Sequence, residues 1–182
     1  MKTLIESAKA AKAAAGTVAL LDTETKNRAL DAMADALAAG AGEIVAKNAL
    51  DMARGRETGM PEPLLDRLML NTARILEIAE GVRQVKDLPD PIGEVLEKWT
   101  RPNGLVIEKV RVPMGVIGII YEARPNVTAD AAALAFKAGS SILLRGSASA
   151  FESNAALVRV MRAALEKAGV TPDAVCLVED TS

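Results

Sequence analysis

Three short apolar runs alternate with two amphipathic segments in the C-terminal half of the chain, and this alternation constrains the fold more than any other feature. The runs are VIGIIY (Val116–Tyr121), SILLR (Ser141–Arg145) and AVCLV (Ala174–Val178). Between them, the spacing predicts helices from Val127 to Lys137, closing at Gly139, and from Ser149 to Lys167, closing at Gly169. Ser149 with Glu152 three residues on reads as a capping box. Continuous apolar strands joined by helices imply an α/β fold whose strands are buried on both faces of a parallel sheet. Ligands of such sheets bind beyond the carboxyl ends of the strands. Those ends hold Tyr121, Glu122, Ala123, Arg124 and Asn126 after the first strand, and Arg145, Gly146 and Ser147 after the second.

Upstream, residues 1–87 read as helices. Leu4, Ile5, Ala8, Ala11 and Ala15 keep a helical period, and Asp22 is placed to cap a second helix with Ala29, Leu30, Met33, Ala34 and Leu37 on one face. A third helix is expected over 42–54. Leu64, Leu65 and Leu68 suggest a short helical stretch, and Asn71 caps a further helix whose stripe is Ile75, Leu76, Ala79 and Val82. LPDPIG (Leu88–Gly93) breaks this regime. Beyond it, alternating residues on both sides of Pro102-Asn103-Gly104 predict an antiparallel ribbon that must rest on this domain or on a second copy of the chain. Trp99, the one tryptophan, falls on that ribbon, as a packing residue or as an interface anchor.

Composition removes several kinds of chemistry. The 182 residues include no histidine, so neither a Ser-His-Asp relay nor an imidazole zinc site can be assembled from this chain, and no metal site is expected. Cys176 is the single cysteine, which excludes an intrachain disulfide. Aromatic residues make up 2%, so the core must be built from Ala, Val, Leu, Ile and Met. Twenty-two basic residues against 24 acidic ones, without a basic run, argue against nucleic acid as a partner. Charged residues at helical spacing interrupt the N-terminal apolar positions, and no stretch approaches the ~20 apolar residues of a membrane span. A soluble cytoplasmic protein is expected.

The strand ends carry the candidate chemistry. G-x-G-x-x-G is absent, and Gly115 and Gly118 precede or lie within the first strand, where close backbone approach would explain them. Arg145 followed by Gly146 offers a fixed charge and a bare backbone, a workable cradle for a ribose phosphate, although an arginine at a strand end is more often a solvated surface group. Arg145–Phe151 contains no acidic residue to pair with free ribose hydroxyls, which leans towards a 2'-phosphorylated nucleotide. In EARPN, Arg124 or Asn126 could meet an anionic substrate; alternatively, Asn126 caps the helix while Glu122 and Arg124 pair on the surface.

The segment VPMGVIGIIYEARPNVTADAAALAFKAGSSILLRG (Val112–Gly146) resembles the signature of the gamma-glutamyl phosphate reductase family, within the aldehyde dehydrogenase superfamily. The likeness extends over the whole chain, including RPNGLVIEKVRVPMGV and AVCLVEDTS. It implies an aldehyde-dehydrogenase-like fold: N-terminal helices, a parallel Rossmann-like sheet and a protruding β-hairpin. It also implies NADPH-dependent reduction of L-glutamyl 5-phosphate to L-glutamate 5-semialdehyde with release of phosphate, in proline biosynthesis. In this resemblance Tyr121, Glu122 and Ala123 line the nicotinamide side, while Arg145, Gly146 and Ser147 meet the adenosine ribose and its phosphate. Arg124 and Asn126 approach the substrate. The family's nucleophile is a cysteine that forms a thioester; it is expected beyond Ser182, and Cys176, inside an apolar strand, is expected to be a buried structural thiol. RGSASA departs from the family's Arg-Gly-Gly pattern by placing Ser147 and Ser149 at the second Gly and at the Glu.

The domain expectation is therefore 1–93 as the helical part of the nucleotide-binding domain, 94–113 as an oligomerising hairpin and 114–182 as its βαβαβ part, with the catalytic domain absent and the chain inactive alone. A truncated gene product or a fragment is expected, because the chain stops just after the third strand. The implied partners are the acyl phosphate, further copies of the chain and glutamate 5-kinase. Two other readings compete: another aldehyde dehydrogenase, disfavoured because those usually carry Asn where Ala123 stands, and a non-catalytic nucleotide-binding or structural fragment.

Overall fold

The computed structural model describes residues 3–180. Five helices come first: α1 (Leu4–Val18), α2 (Thr23–Ala39), α3 (Ala41–Glu57), α4 (Glu62–Leu68) and α5 (Thr72–Asp87). The ribbon β1 (Val95–Thr100) and β2 (Val106–Val110) follows, then β3 (Val116–Ile120), α6 (Pro125–Lys137), β4 (Ser141–Arg145), α7 (Phe151–Lys167) and β5 (Val175–Leu177). The starts of α2 and α5 are where capping chemistry places them. Asp22 accepts from the Thr25 amide and Asn71 from the Arg74 amide, each satisfying a donor that the helix cannot satisfy itself.

One core joins the helical part to the sheet. Leu30, Met33 and Leu37 of α2, Ile75 and Val82 of α5, Phe136 of α6, Ile142 and Leu144 of β4, and Leu157 and Met161 of α7 belong to a single buried cluster. Each such side chain contributes roughly 1.5–3 kcal/mol on burial, so the helices and the sheet stabilise one another. The apolar stripes hold with two changes of face. α1 turns Ala11, Ala14, Ala15 and Val18 inward and leaves Leu4 and Ile5 exposed; α5 buries Ile78, and Leu76 lies outside.

β3, β4 and β5 form a parallel sheet in that order. The expectation that every strand is buried on both faces fails at β3, which is an edge strand. Ile117 and Ile119 pack against the core, but Val116 and Ile120 are exposed, because α1 lies mainly over β4 and β5. Glycine at 118 is not explained by close approach either, since nothing lies within 4 Å of where its Cβ would stand; Gly115 instead takes a positive φ of 94° at the turn into β3.

The capping box at Ser149 is also replaced. Ala148–Ala150 form a short 3-10 turn, α7 begins at Phe151, and Glu152 turns its carboxylate to Lys47 of α3 at 3.2 Å. The amides that need a cap are met from α3: the buried Asp51 carboxylate accepts from the Ser153 amide (2.8 Å), the Ser153 hydroxyl (2.6 Å) and the Glu152 amide (3.3 Å). Burial pushes the Asp51 carboxyl above its usual range, against the pull of these hydrogen bonds and of Arg54. Asn48 completes the joint by donating to Leu68 O and Ser153 Oγ while accepting from the Leu70 amide.

The ribbon projects from this body and is exposed along almost its whole length. Its register is braced by cross-strand ion pairs between Lys98 and Glu108 (2.6 Å) and between Lys109 and Glu97 (3.3 Å), and Trp99 stands opposite Ile107. At its base, Asp90 of the proline-rich linker is clasped by Lys26, Thr23 and the Ile92 amide. Among the described residues no helix is long and apolar enough to cross a membrane.

Asp51→Ala should destabilise the chain by about 2–4 kcal/mol, because it removes a helix cap and leaves buried donors of α7 unpaired. A urea titration against wild type would measure the loss, and a change within about 0.5 kcal/mol, the range of ordinary surface substitutions, would show that this cap carries no weight.

Candidate functional site

Parallel pairing brings the two strand ends side by side. Ile120 pairs with Arg145, and the Tyr121 amide donates to the Arg145 carbonyl at 3.1 Å, so the segments starting at Tyr121 and Gly146 leave the sheet together. A buried polar chain lies beneath them. Thr128 Oγ1 of α6 donates to Asn154 Oδ1 of α7 at 2.9 Å, which leaves the Tyr121 hydroxyl to donate to Thr128 at 2.6 Å. Burial raises the pKa of this phenol. A Cβ on Gly146 would stand 2.2 Å from Asn154 Nδ2 and 3.2 Å from the Tyr121 hydroxyl, so the space that a side chain would fill is occupied from within the protein. Gly146 is thus required by internal packing. Thr128 and Asn154 were not singled out in the sequence, where their only signal is a polar residue among the alanines of an apolar helix face.

The remaining candidates divide into two groups. Ala123 is half-buried and packs against a small cluster made of Met52, Leu65, Leu68 and Ala150, so both segments are anchored on the same cluster. Arg145 is half-buried, with Nη1 donating to the Gly146 carbonyl at 3.2 Å; Ser147 Oγ meets Ser149 Oγ at 2.8 Å. Glu122 and Arg124 are exposed, and no ion pair joins them; they are linked through the backbone, the Arg124 amide donating to the Glu122 carbonyl at 2.8 Å. Pro125 opens α6 two residues earlier than periodicity indicates, so Asn126 lies inside the first turn and is not its cap. Its amide donates to Asp130 Oδ2 at 3.2 Å. Arg124 and Asn126 open onto a groove of about 450 Å³ that is lined further by Asp130 of α6, Arg67 of α4, and Arg74 and Glu77 of α5.

Cys176 is buried in β5, its thiol donating to the Asp173 carbonyl at 3.3 Å beside Arg162. A larger concavity of about 690 Å³ runs along α7 and β5, but none of the residues lining it belongs to either strand-end segment.

No protein-family model matches the chain. All 182 residues align at 55% identity with a gamma-glutamyl phosphate reductase of Anoxybacillus flavithermus. The chain is homologous throughout to gamma-glutamyl phosphate reductase. It spans 44% of that relative's length. A crystal structure of gamma-glutamyl phosphate reductase from Thermotoga maritima superposes with a TM-score of 0.97 at 42% identity, covering 100% of this chain and 44% of the other. An acetylating aldehyde dehydrogenase from Geobacillus thermoglucosidasius shares the fold at 20% identity, with a TM-score of 0.69 over 97% of this chain and 36% of its own. The architecture is therefore the aldehyde-dehydrogenase-like one that gamma-glutamyl phosphate reductase also has.

Gly146→Ala should cost about 1–3 kcal/mol of stability, since a methyl group is forced onto Asn154 and Tyr121. The double change Gly146→Ala, Asn154→Ala should recover part of that loss in a double-mutant cycle of unfolding free energies. Strict additivity would show that the two residues are not in conflict.

Proposed function

We propose that the full-length protein is an NADPH-dependent oxidoreductase that converts L-glutamyl 5-phosphate to L-glutamate 5-semialdehyde and phosphate, a step of proline biosynthesis in the cytoplasm. The reading rests on 55% identity sustained over every residue of the chain. Its covalent step uses a cysteine outside these 182 residues, whose thiolate displaces phosphate to give a thioester. Cys176 is a poor candidate for that role because it is buried and held by its own strand's neighbours. Bound NADPH supplies the hydride that reduces the acyl group to the aldehyde.

The chain's own part is to bind and orient. The N-terminus of α7 would ordinarily attract a phosphate, but Asp51 already places a carboxylate on its amides. Charge and occupancy both turn a cofactor phosphate away from that helix and towards the guanidinium at the end of β4. Arg145 is accordingly assigned to the 2'-phosphate of the ribose, with Gly146 and Ser147 beside it. Tyr121, Glu122 and Ala123 line the nicotinamide side; Tyr121 is fixed through Thr128, and Ala123 through its packing against the cluster of Met52, Leu65, Leu68 and Ala150. Arg124 and Asn126, on the same segment, are assigned to the substrate. The exposed apolar residues of the ribbon, Val95, Leu96, Trp99 and Val106, support association of copies through it. Glutamate 5-kinase is the enzyme that would supply the substrate.

In the full-length protein, Arg145→Ala should raise KM for NADPH by about tenfold or more while changing KM for NADH little, because a charge-assisted hydrogen bond to phosphate is worth roughly 1.5–3 kcal/mol. Equal losses with both cofactors would reject the 2'-phosphate role. Cys176→Ser should keep turnover, as an apolar-strand thiol has no part in the chemistry; abolished activity in a folded variant would place the nucleophile at Cys176.

A further inference from the structure

The groove between α4, α5 and the first turn of α6 holds more charge than the fold uses. Arg74 and Asp66 are consumed by each other: Arg74 Nη2 meets Asp66 Oδ1 at 2.8 Å, and Nη1 donates to the carbonyls of Asp66 and Met69, which fixes the connection between α4 and α5. Arg67 and Arg124 are different. Both are exposed, both line the groove, and among the described residues neither guanidinium has an ion pair or a side-chain hydrogen bond.

Asp130 stands in the same groove with the opposite sign. One oxygen accepts from Asn126, and the other lies 3.7 Å from the point where a Cβ on Gly81 would stand, so it faces α5 at a residue with no side chain. Among the described residues no cation pairs with it. Burial pushes its carboxyl above the usual range, as it does for a carboxylate short of a positive partner. Among the described residues, two guanidinium groups without an ion pair, Arg67 and Arg124, thus share one concavity of about 450 Å³ with two carboxylates without one, the half-buried Asp130 and the exposed Glu77. A purely anionic ligand would answer the arginines and leave Asp130 repelled; a cation would do the reverse. A zwitterion answers both.

We infer that this groove recognises the α-amino-acid head of the substrate, with its carboxylate facing Arg67 and Arg124 and its ammonium facing Asp130. The inference rests on the reductase reading and deepens it, since L-glutamyl 5-phosphate carries that head at the end opposite its reacting acyl group. An arginine fork matches a carboxylate in plane and charge, and a partly desolvated carboxylate favours an ammonium donor. Arg124 directly follows Tyr121, Glu122 and Ala123, the residues assigned to the nicotinamide side, so the head group and the reacting end are approached from one stretch of chain.

Three acyl phosphates separate the roles in the full-length protein: L-glutamyl 5-phosphate, glutaryl phosphate, which lacks the ammonium, and 4-aminobutyryl phosphate, which lacks the carboxylate. Wild type should favour the first in kcat/KM by about 30-fold or more over each analogue, as a site with a charged partner left unpaired rejects the deficient ligand. Asp130→Asn should shrink the preference over glutaryl phosphate by about tenfold and leave the preference over 4-aminobutyryl phosphate; Arg67→Ala, at an exposed position where folding is not at stake, should do the converse. Wild type that reduces all three equally well, or variants that lower all three in proportion, would overturn the inference and leave the reductase in place. Wild type that reduces none of them would overturn the reductase reading and the inference with it.

Discussion

The meeting of Gly146 with Asn154 and Tyr121 is the constraint on which the strand-end geometry depends. β3 and β4 bring their ends together by pairing, but pairing alone fixes only the last residues of the strands. Beyond them the chain must diverge into two helices, and what holds the divergence constant is the buried chain from Tyr121 through Thr128 to Asn154. Thr128 belongs to α6 and Asn154 to α7, so each connecting helix contributes one polar group to the joint. A buried hydroxyl or amide left without a partner would cost about 1–3 kcal/mol, and this mutual satisfaction ties the helices to one arrangement. Arg145 is consequently presented by backbone that has no freedom to retreat.

Asp51 changes what that backbone can bind. A helix that follows a parallel strand usually turns unsatisfied amides towards a ligand at the sheet end. In α7 those amides are spent on a carboxylate from α3, and Asn48 binds the same corner to the stretch from Leu68 to Leu70. The helical N-terminal part is therefore more than a cover for the sheet. It withdraws one anion site and, through Arg67 on α4, furnishes a cation to the neighbouring groove. The Lys26, Asp90 and Lys137 cluster works in the same manner at the other end: Lys137 donates to Asn27 Oδ1 (2.7 Å) and to the Lys86 carbonyl (2.6 Å), joining α2, α5 and α6 beneath the linker that leads to the ribbon.

Legibility in the sequence followed the range of the interaction. Asp22 and Asn71 were readable as caps because the donors they satisfy lie three residues away, and the α2 face was readable because its period is local. The parallel order of the strands followed from their apolar runs and the helices between them. Failures occurred where a distant residue intervened. Ser149 and Glu152 have the right spacing for a capping box, yet Asp51 is about one hundred positions away and displaces it. Ile120 looks like a core residue by composition, but only the order of strands shows that it lies at an edge. The candidate residues Tyr121 and Arg145 were legible as strand ends; Thr128, Asn154, Arg67 and Asp130 were not, because their significance arises from what other helices bring beside them.

Exposed apolar residues of the strands fall into two groups among the described residues, and the physics of each is different. Val112, Met114 and Ile120 are 73%, 83% and 85% exposed on and before β3, forming the open side of a sheet that is otherwise well packed. On the same strand, Ile117 and Ile119 engage the core. The ribbon does need something. Its ion pairs are solvent-exposed and are each worth roughly 1 kcal/mol or less, and a two-stranded antiparallel ribbon is marginal in water. Cross-strand charges set the register of β1 against β2, but they cannot supply the burial that Val95, Leu96, Trp99 and Val106 forgo. Burial of those side chains against another surface is the term that would make the ribbon persist, which is why association is proposed at the ribbon.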